Sequence, residues 1–132
     1  MTMTVQDIYD AALRILAESS DPADNTDYAE RAPFIVAAFC TQNADLDKAT
    51  RRMLGEGSQH DFSAAYIELE DEFPLLERFA PAASFYLASM LVMEDFEELS
   101  DRLYDRYCDI VSRFCEAIGA ENSPITDVYG FI

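Results

Sequence analysis

The run FAPAASFYLASMLVM, residues 79–93, decides how this chain folds. Its 15 residues carry no charge. From Pro74 to Glu94 the side chains of Leu75, Leu76, Phe79, Ala82, Ala83, Tyr86, Leu87, Met90 and Leu91 put apolar groups on nearly every face of a helix. A helix without a polar side is surrounded by other elements. It is interrupted by Pro81 and falls short of the ~20 apolar residues that span a bilayer, so it reads as the buried centre of a helical domain. The rest of the chain then has to supply the layers around it.

Downstream, Asp95 with Glu98 three residues later marks a helix start. Phe96, Leu99, Leu103, Tyr107, Ile110, Phe114 and Ile118 follow at steps of 3, 4, 4, 3, 4 and 4. The mean step of about 3.7 residues belongs to a straight amphipathic helix and not to a coiled-coil seam. Gly119 is expected to close this helix as a C-cap. Beyond Ser123-Pro124, the residues Ile125, Val128, Tyr129, Phe131 and Ile132 are too apolar for a solvated end. This extended tail, residues 120–132, should dock either on its own core or on a neighbouring subunit, in the second case by adding a strand to the segment around Ile67 and Leu69.

Upstream, Val5, Ile8, Tyr9, Ala12, Leu13, Ile15 and Leu16 recur at helical spacing over residues 4–19, with Gln6, Asp7, Asp10 and Arg14 opposite. Thr4 and Asp7 have the spacing of a capping box, with Asp in the place usually held by Glu or Gln. The turn formers of residues 19–26 break the chain. Asp27 and Glu30 then start a second helix through Ile35, Val36 and Phe39, kinked near Ala32 by Pro33. From Asn43, the residues Leu46, Ala49, Met53 and Leu54 form a shorter amphipathic helix that ends at Gly55. Its Lys48, Arg51 and Arg52 are a third of the 9 basic residues. Between Asp61 and Phe73 the pattern changes to a period of two, with Ile67, Leu69 and Phe73 on one side and Tyr66, Glu68, Glu70 and Glu72 on the other. That fits a short edge strand or hairpin arm, or else one more helical turn, since Ala64 and Ala65 are not strand-loving. The expected fold is a mainly α bundle of three to five helices in one domain spanning 1–132, with a core of about 4–119.

Composition narrows the function. The chain has 132 residues, half of them hydrophobic, and 26 acidic against 9 basic side chains give a net charge of -17. Such a charge opposes contact with nucleic-acid phosphate or anionic lipid, so neither sequence-specific nucleic-acid binding nor membrane binding is expected. The N-terminus reaches Asp7 and Asp10 before its first base, Arg14, unlike the basic start of a secretory signal. Three cysteines in a chain able to build a core are expected to be reduced, buried hydrophobes in a cytoplasmic protein.

No arrangement of residues here points to catalysis, a cofactor or a metal. The acidic run Asp21, Asp24, Asn25, Asp27 lacks the Gly and Glu of a calcium loop and reads as a capping turn. Cys40, Cys108, Cys115 and the single His60 lack the paired short spacing of zinc ligands, and His60 has no orienting partner for nucleophilic work. Glu68, Glu70 and Glu72 form one exposed row. Asp101, Asp105 and Asp109 form another, one helical turn apart, with Glu98 to Arg102 and Asp109 to Arg113 as compensating pairs. The second row is either a solvated face or an electronegative surface that repels DNA or meets a basic partner. Together with Val128, Tyr129, Phe131 and Ile132 of the tail, it is the candidate interaction surface.

The order of parts resembles the small helical head-tail connector, or adaptor, proteins of tailed bacteriophages and prophages. The resemblance rests on the opening helix from Val5 to Leu16, the second helix around Tyr28 to Ile35, and the closing pair of Phe73 to Met93 and Asp95 to Ile118. It covers about 110 residues, is one of helix order, and departs from the family over residues 43–72. It implies a non-enzymatic virion part, made in the bacterial cytoplasm, that forms a homo-oligomeric ring under the portal around the DNA passage. An acidic wall suits such a passage, because phosphate is repelled from it. Two other classes fit the composition: an acidic DNA mimic or protein-binding inhibitor, and an enzyme of unknown type, which would need a deep pocket with carboxylates of split pKa.

Overall fold

A computed structural model describes residues 2–19, 27–55 and 62–122 of the protein. Among the described residues there are five α-helices and no strand: α1 (Val5–Ser19), α2 (Tyr28–Gln42), α3 (Ala44–Met53), α4 (Ala80–Leu91) and α5 (Glu97–Asn122), with a 3-10 turn at Glu77–Phe79 before α4. The molecule is mainly α-helical, and α4 is its centre. This helix packs against α1, α2 and α5, and Ala82, Ala83, Ser84, Tyr86, Leu87, Ala88, Ser89 and Leu91 are all buried. Its small residues let neighbouring backbones come close. Ser89 Oγ donates to the carbonyl of Ser100 at 2.8 Å, and Ser100 Oγ donates to the carbonyl of Ser89 at 2.9 Å. This exchange satisfies both buried hydroxyls and fastens the end of α4 to the start of α5.

The first helix begins where expected. The Thr4 amide donates to Asp7 Oδ2 at 2.9 Å and the Asp7 amide donates back to Thr4 Oγ1 at 3.4 Å, so Asp serves the reciprocal cap. The next free amides of α1 find backbone acceptors: Val5 donates to Asp71 O at 2.9 Å and Gln6 to Leu69 O at 2.7 Å, while Phe73 donates to Met3 O at 2.8 Å. Residues 67–73 are therefore neither a paired strand nor a helical turn. They form a strap across the start of α1 that turns at 68–71, where the Asp71 amide donates to the Glu68 carbonyl at 3.1 Å and the Glu68 amide to Asp71 Oδ2 at 3.2 Å, with a single isolated bridge between Thr4 and Glu72. The period of two is nonetheless visible in burial: Ile67 and Phe73 are buried and Leu69 half-buried, whereas Tyr66, Glu68, Glu70 and Glu72 are exposed. Helix ends leave amides unsatisfied, and that demand, not a neighbouring strand, fixes the carbonyls of Leu69 and Asp71 against the start of α1. One edge of the strap is thus already taken by α1.

Pro33 lies inside α2, which continues on both sides of it. At the junction of α2 and α3, buried Asn43 closes one helix and opens the next. Its amide donates to Phe39 O at 3.0 Å, its carbonyl accepts from the Asp47 amide at 2.9 Å, and its side chain donates to Tyr107 Oη at 3.2 Å. The ring of Phe39 meets those of Tyr86 and Tyr107 at centroid distances of 5.7 and 5.8 Å, which joins α2, α4 and α5 in one aromatic core. From α2, Arg31 donates to the carbonyls of Met90 and Leu91 at 3.0 and 3.2 Å, placing a cation at the C-terminal end of α4.

Two helix boundaries differ from expectation. The central helix starts at Ala80 and not at Pro74, because Leu76 is extended (ψ 145°) and Pro81 takes the first-turn position. The cause lies in α3. Asp47 is fully buried, accepts from the Leu76 amide at 2.9 Å and pairs with Arg51 at 2.8 Å, while Arg51 reaches the Pro74 carbonyl at 3.4 Å. A backbone held on two side chains cannot coil into the helix. Secondly, Gly119 does not end α5, which runs on to Asn122. Gly55 does end α3, in the left-handed region at φ 85°.

Candidate interaction surface

Along α5, Leu99, Ser100, Leu103 and Tyr107 face inward and are buried. The other side carries Asp101, Asp105 and Asp109, all three exposed as expected. One turn apart, their carboxylates recur about every 6 Å along the axis. The compensating pairs do not close. Ion pairs form between Arg51 and Asp47 at 2.8 Å and between Arg31 and Asp27 at 3.5 Å, but among the described residues neither Glu98 with Arg102 nor Asp109 with Arg113 is one. Arg106 lies instead over the Phe85 ring, 5.0 Å from its centroid. Among the described residues, the three aspartates thus form no ion pair with the arginines beside them.

Beside this row runs an open groove of about 600 Å³ between α1, α4 and α5. Its floor is apolar, from Ile15, Phe85, Leu99 and Leu103, and Arg102, Asp105 and Arg106 form its rim. Periodicity alone could not show it, because a groove needs three helices in place. A second hollow of about 470 Å³ lies where the N-terminus meets residues 72–77. It adjoins the Asp47–Arg51 pair, whose hydrogen bonds are used in holding the turn before α4.

The cysteines divide. Cys40 is buried, and burial pushes its thiol well above the ordinary range, with the Asp47 carboxylate adding to the shift. Cys108 and Cys115 are exposed, which corrects the expectation of three buried thiols. They stand on the outward side of α5, which no other described element covers there. Among the described residues no three His, Cys, Asp or Glu side chains come together as metal ligands, and no helix is long and apolar enough to cross a membrane. Asp27 stands at the start of α2 without a side-chain cap, its carboxylate turned to Arg31. Asp21, Asp24, Asn25 and His60 lie outside the described residues, and so do Val128, Tyr129, Phe131 and Ile132 of the candidate surface.

Sequence reasoning missed an exposed aromatic pair. Phe34 on α2 and Tyr66 on the segment before the strap meet edge to face at 4.9 Å, 55% and 44% exposed. A signal was present for both. The uncharged run from Ala32 to Cys40 has more apolar residues than one helix face can bury, and Tyr66 sits on the polar side of the period of two. The burial of Asp47 had no such signal, since an acid in the first turn of a helix is ordinarily a surface group serving the dipole.

No protein-family model matches this chain, and no curated protein or solved structure does either.

Proposed function

We propose that this chain is a structural protein of a tailed phage or prophage, a connector-like adaptor that self-associates in a ring on the DNA passage, with the portal among its partners. One observation carries the reading: the exposed row Asp101, Asp105, Asp109 on the longest described helix of a helical body. Carboxylates on a passage wall repel phosphate, so the genome slides past without being held. The order of helices, similar to that of connector proteins, supports the same reading. So does the net charge of -17, which suits a wall beside DNA and not a DNA-gripping surface.

The first test is the set of genes that flank this one. Portal, capsid and tail genes alongside are expected, and metabolic or defence genes overturn the proposal. The second is deletion of the gene from an inducible prophage, followed by electron microscopy. DNA-filled heads separated from tails are the expected outcome, while complete virions overturn it. The same carboxylate row also fits an acidic DNA mimic that occupies a basic nucleic-acid enzyme. That reading requires capture of such an enzyme, with an affinity that falls steeply as salt is raised.

A further inference from the structure

Two uncovered apolar features of this molecule have opposite shapes. The first is raised. Phe34 of α2 and Tyr66 meet edge to face in the open. The segment that carries Tyr66 is held on α2 by two hydrogen bonds of 3.3 Å, from the Ile67 amide to the Pro33 carbonyl and from the Thr41 hydroxyl to the Ala64 carbonyl. Exposed aromatic rings already fixed in place lose little freedom on binding, which suits them as an anchor. The second feature is recessed: the groove between α1, α4 and α5, with its floor of Ile15, Phe85, Leu99 and Leu103. The rings and the groove share no helix, so one chain can use both at once.

The charges around the two features match at similar spacing. On α5, Arg102 and Arg106 follow the floor residues Leu99 and Leu103 by three positions, and Asp105 and Asp109 follow the arginines by three more. Around the helix the order is therefore floor, guanidiniums, carboxylates, with about 5–6 Å between neighbouring strips. The rim holds Asp105 as well as the two arginines, but a carboxylate carried in beside an apolar tip meets the arginines first. The aromatic pair brings such carboxylates. Glu30 stands about one helical turn before Phe34, and Glu68 two residues beyond Tyr66, both exposed. The base next to Glu30, Arg31, is engaged by Asp27 and by the carbonyls of Met90 and Leu91. Ring and carboxylate on one surface are thus set about as far apart as floor and guanidinium on the other.

We propose that the groove between α1, α4 and α5 is the seat of the Phe34–Tyr66 pair of a second copy of this chain, with that copy's Glu30 and Glu68 set toward Arg102 and Arg106. Because the two surfaces differ, the contact is head-to-tail and passes from copy to copy, closing as a ring or running on as a filament. The inference rests on the self-association in the proposed function and names the two surfaces that make it. A contact built on two rings is weak alone, and a closed ring gains strength because each copy makes it twice.

The test is sedimentation velocity on the full chain under reducing conditions, over a series of protein concentrations at physiological ionic strength. Species larger than a dimer should grow with concentration. Phe34→Ala with Tyr66→Ala should leave a monomer, and so should Arg102→Glu with Arg106→Glu, or Glu30→Arg with Glu68→Arg. All six positions are exposed, and the helical circular dichroism should stay unchanged. Mixing the two charge-reversed chains should restore the large species, because each acidic aromatic pair again finds an arginine rim and each basic one an acidic rim. A wild-type chain that stays monomeric overturns the proposal. So do association that stops at a dimer, association untouched by loss of the two rings, and a mixture of folded variants that fails to reassemble. The connector reading is decided separately by the flanking genes: portal genes beside a chain whose association ignores these substitutions keep that reading and reject this contact.

Discussion

Aspartate and cysteine each occur in two regions of this molecule, and the two regions treat them in opposite ways. At the inner end of the bundle, where α2, α3 and α4 meet the turn before α4, Asp47 and Cys40 are both completely buried. On the outward side of α5, Asp101, Asp105, Asp109, Cys108 and Cys115 are all exposed. The buried aspartate positions backbone through the Leu76 amide and Arg51, whereas the exposed ones only repel one another. Residue type is the same in the two places. What differs is whether a second element arrives with a matching donor, and that separates a structural carboxylate from a surface one.

The sharpest way to break this contrast is with a thiol reagent under native conditions. Cys108 and Cys115 should react at once, and Cys40 only through global or local opening, at a rate lower by a factor of roughly 1,000 or more. Three equally fast thiols by mass spectrometry would show that the inner end is not closed. A smaller effect is expected from Asp47→Ala. It leaves the Leu76 amide without its acceptor and takes the carboxylate from Arg51, and should cost about 3 kcal/mol in denaturant unfolding. A loss under about 1 kcal/mol would mean that the turn at residues 74–76 is held by packing alone. The smallest effect has the opposite sign. Asp105→Asn removes like-charge repulsion from Asp101 and Asp109 at one-turn spacing, and should stabilise the chain by about 0.3 kcal/mol at low salt, with the gain fading as salt is added.

Much of the fold was legible because it rests on faces. The uncharged run of residues 79–93 could only be central, the period of α5 correctly named Leu99, Leu103 and Tyr107 as inward, and Thr4 with Asp7 marked the start of α1. The period of two over residues 66–73 was also a correct record of which side chains are buried. It did not show the conformation, because the segment turns at 68–71 and exposes Asp71 on the otherwise inward side, and that turn is held by Glu68 and Asp71 bonding each other. Of the candidate surface, the exposed aspartate row was readable from its spacing. The groove beside it was not, since Ile15, Phe85 and Leu103 belong to three helices and become neighbours only when those helices pack.

Sequence alone determined that this is a helical, strongly acidic chain with one central helix, since apolar periodicity and charge are properties of each segment by itself. Only the tertiary structure decided the rest: that the central helix begins at Ala80, that Asp47 is a buried anchor, that two of three cysteines face outward, and that an apolar groove rimmed by Arg102, Asp105 and Arg106 lies beside the acidic row. Each of these depends on whether a distant segment supplies a partner for a donor, a charge or a methyl group. A one-dimensional pattern records the need for such a partner, and packing determines whether it is met.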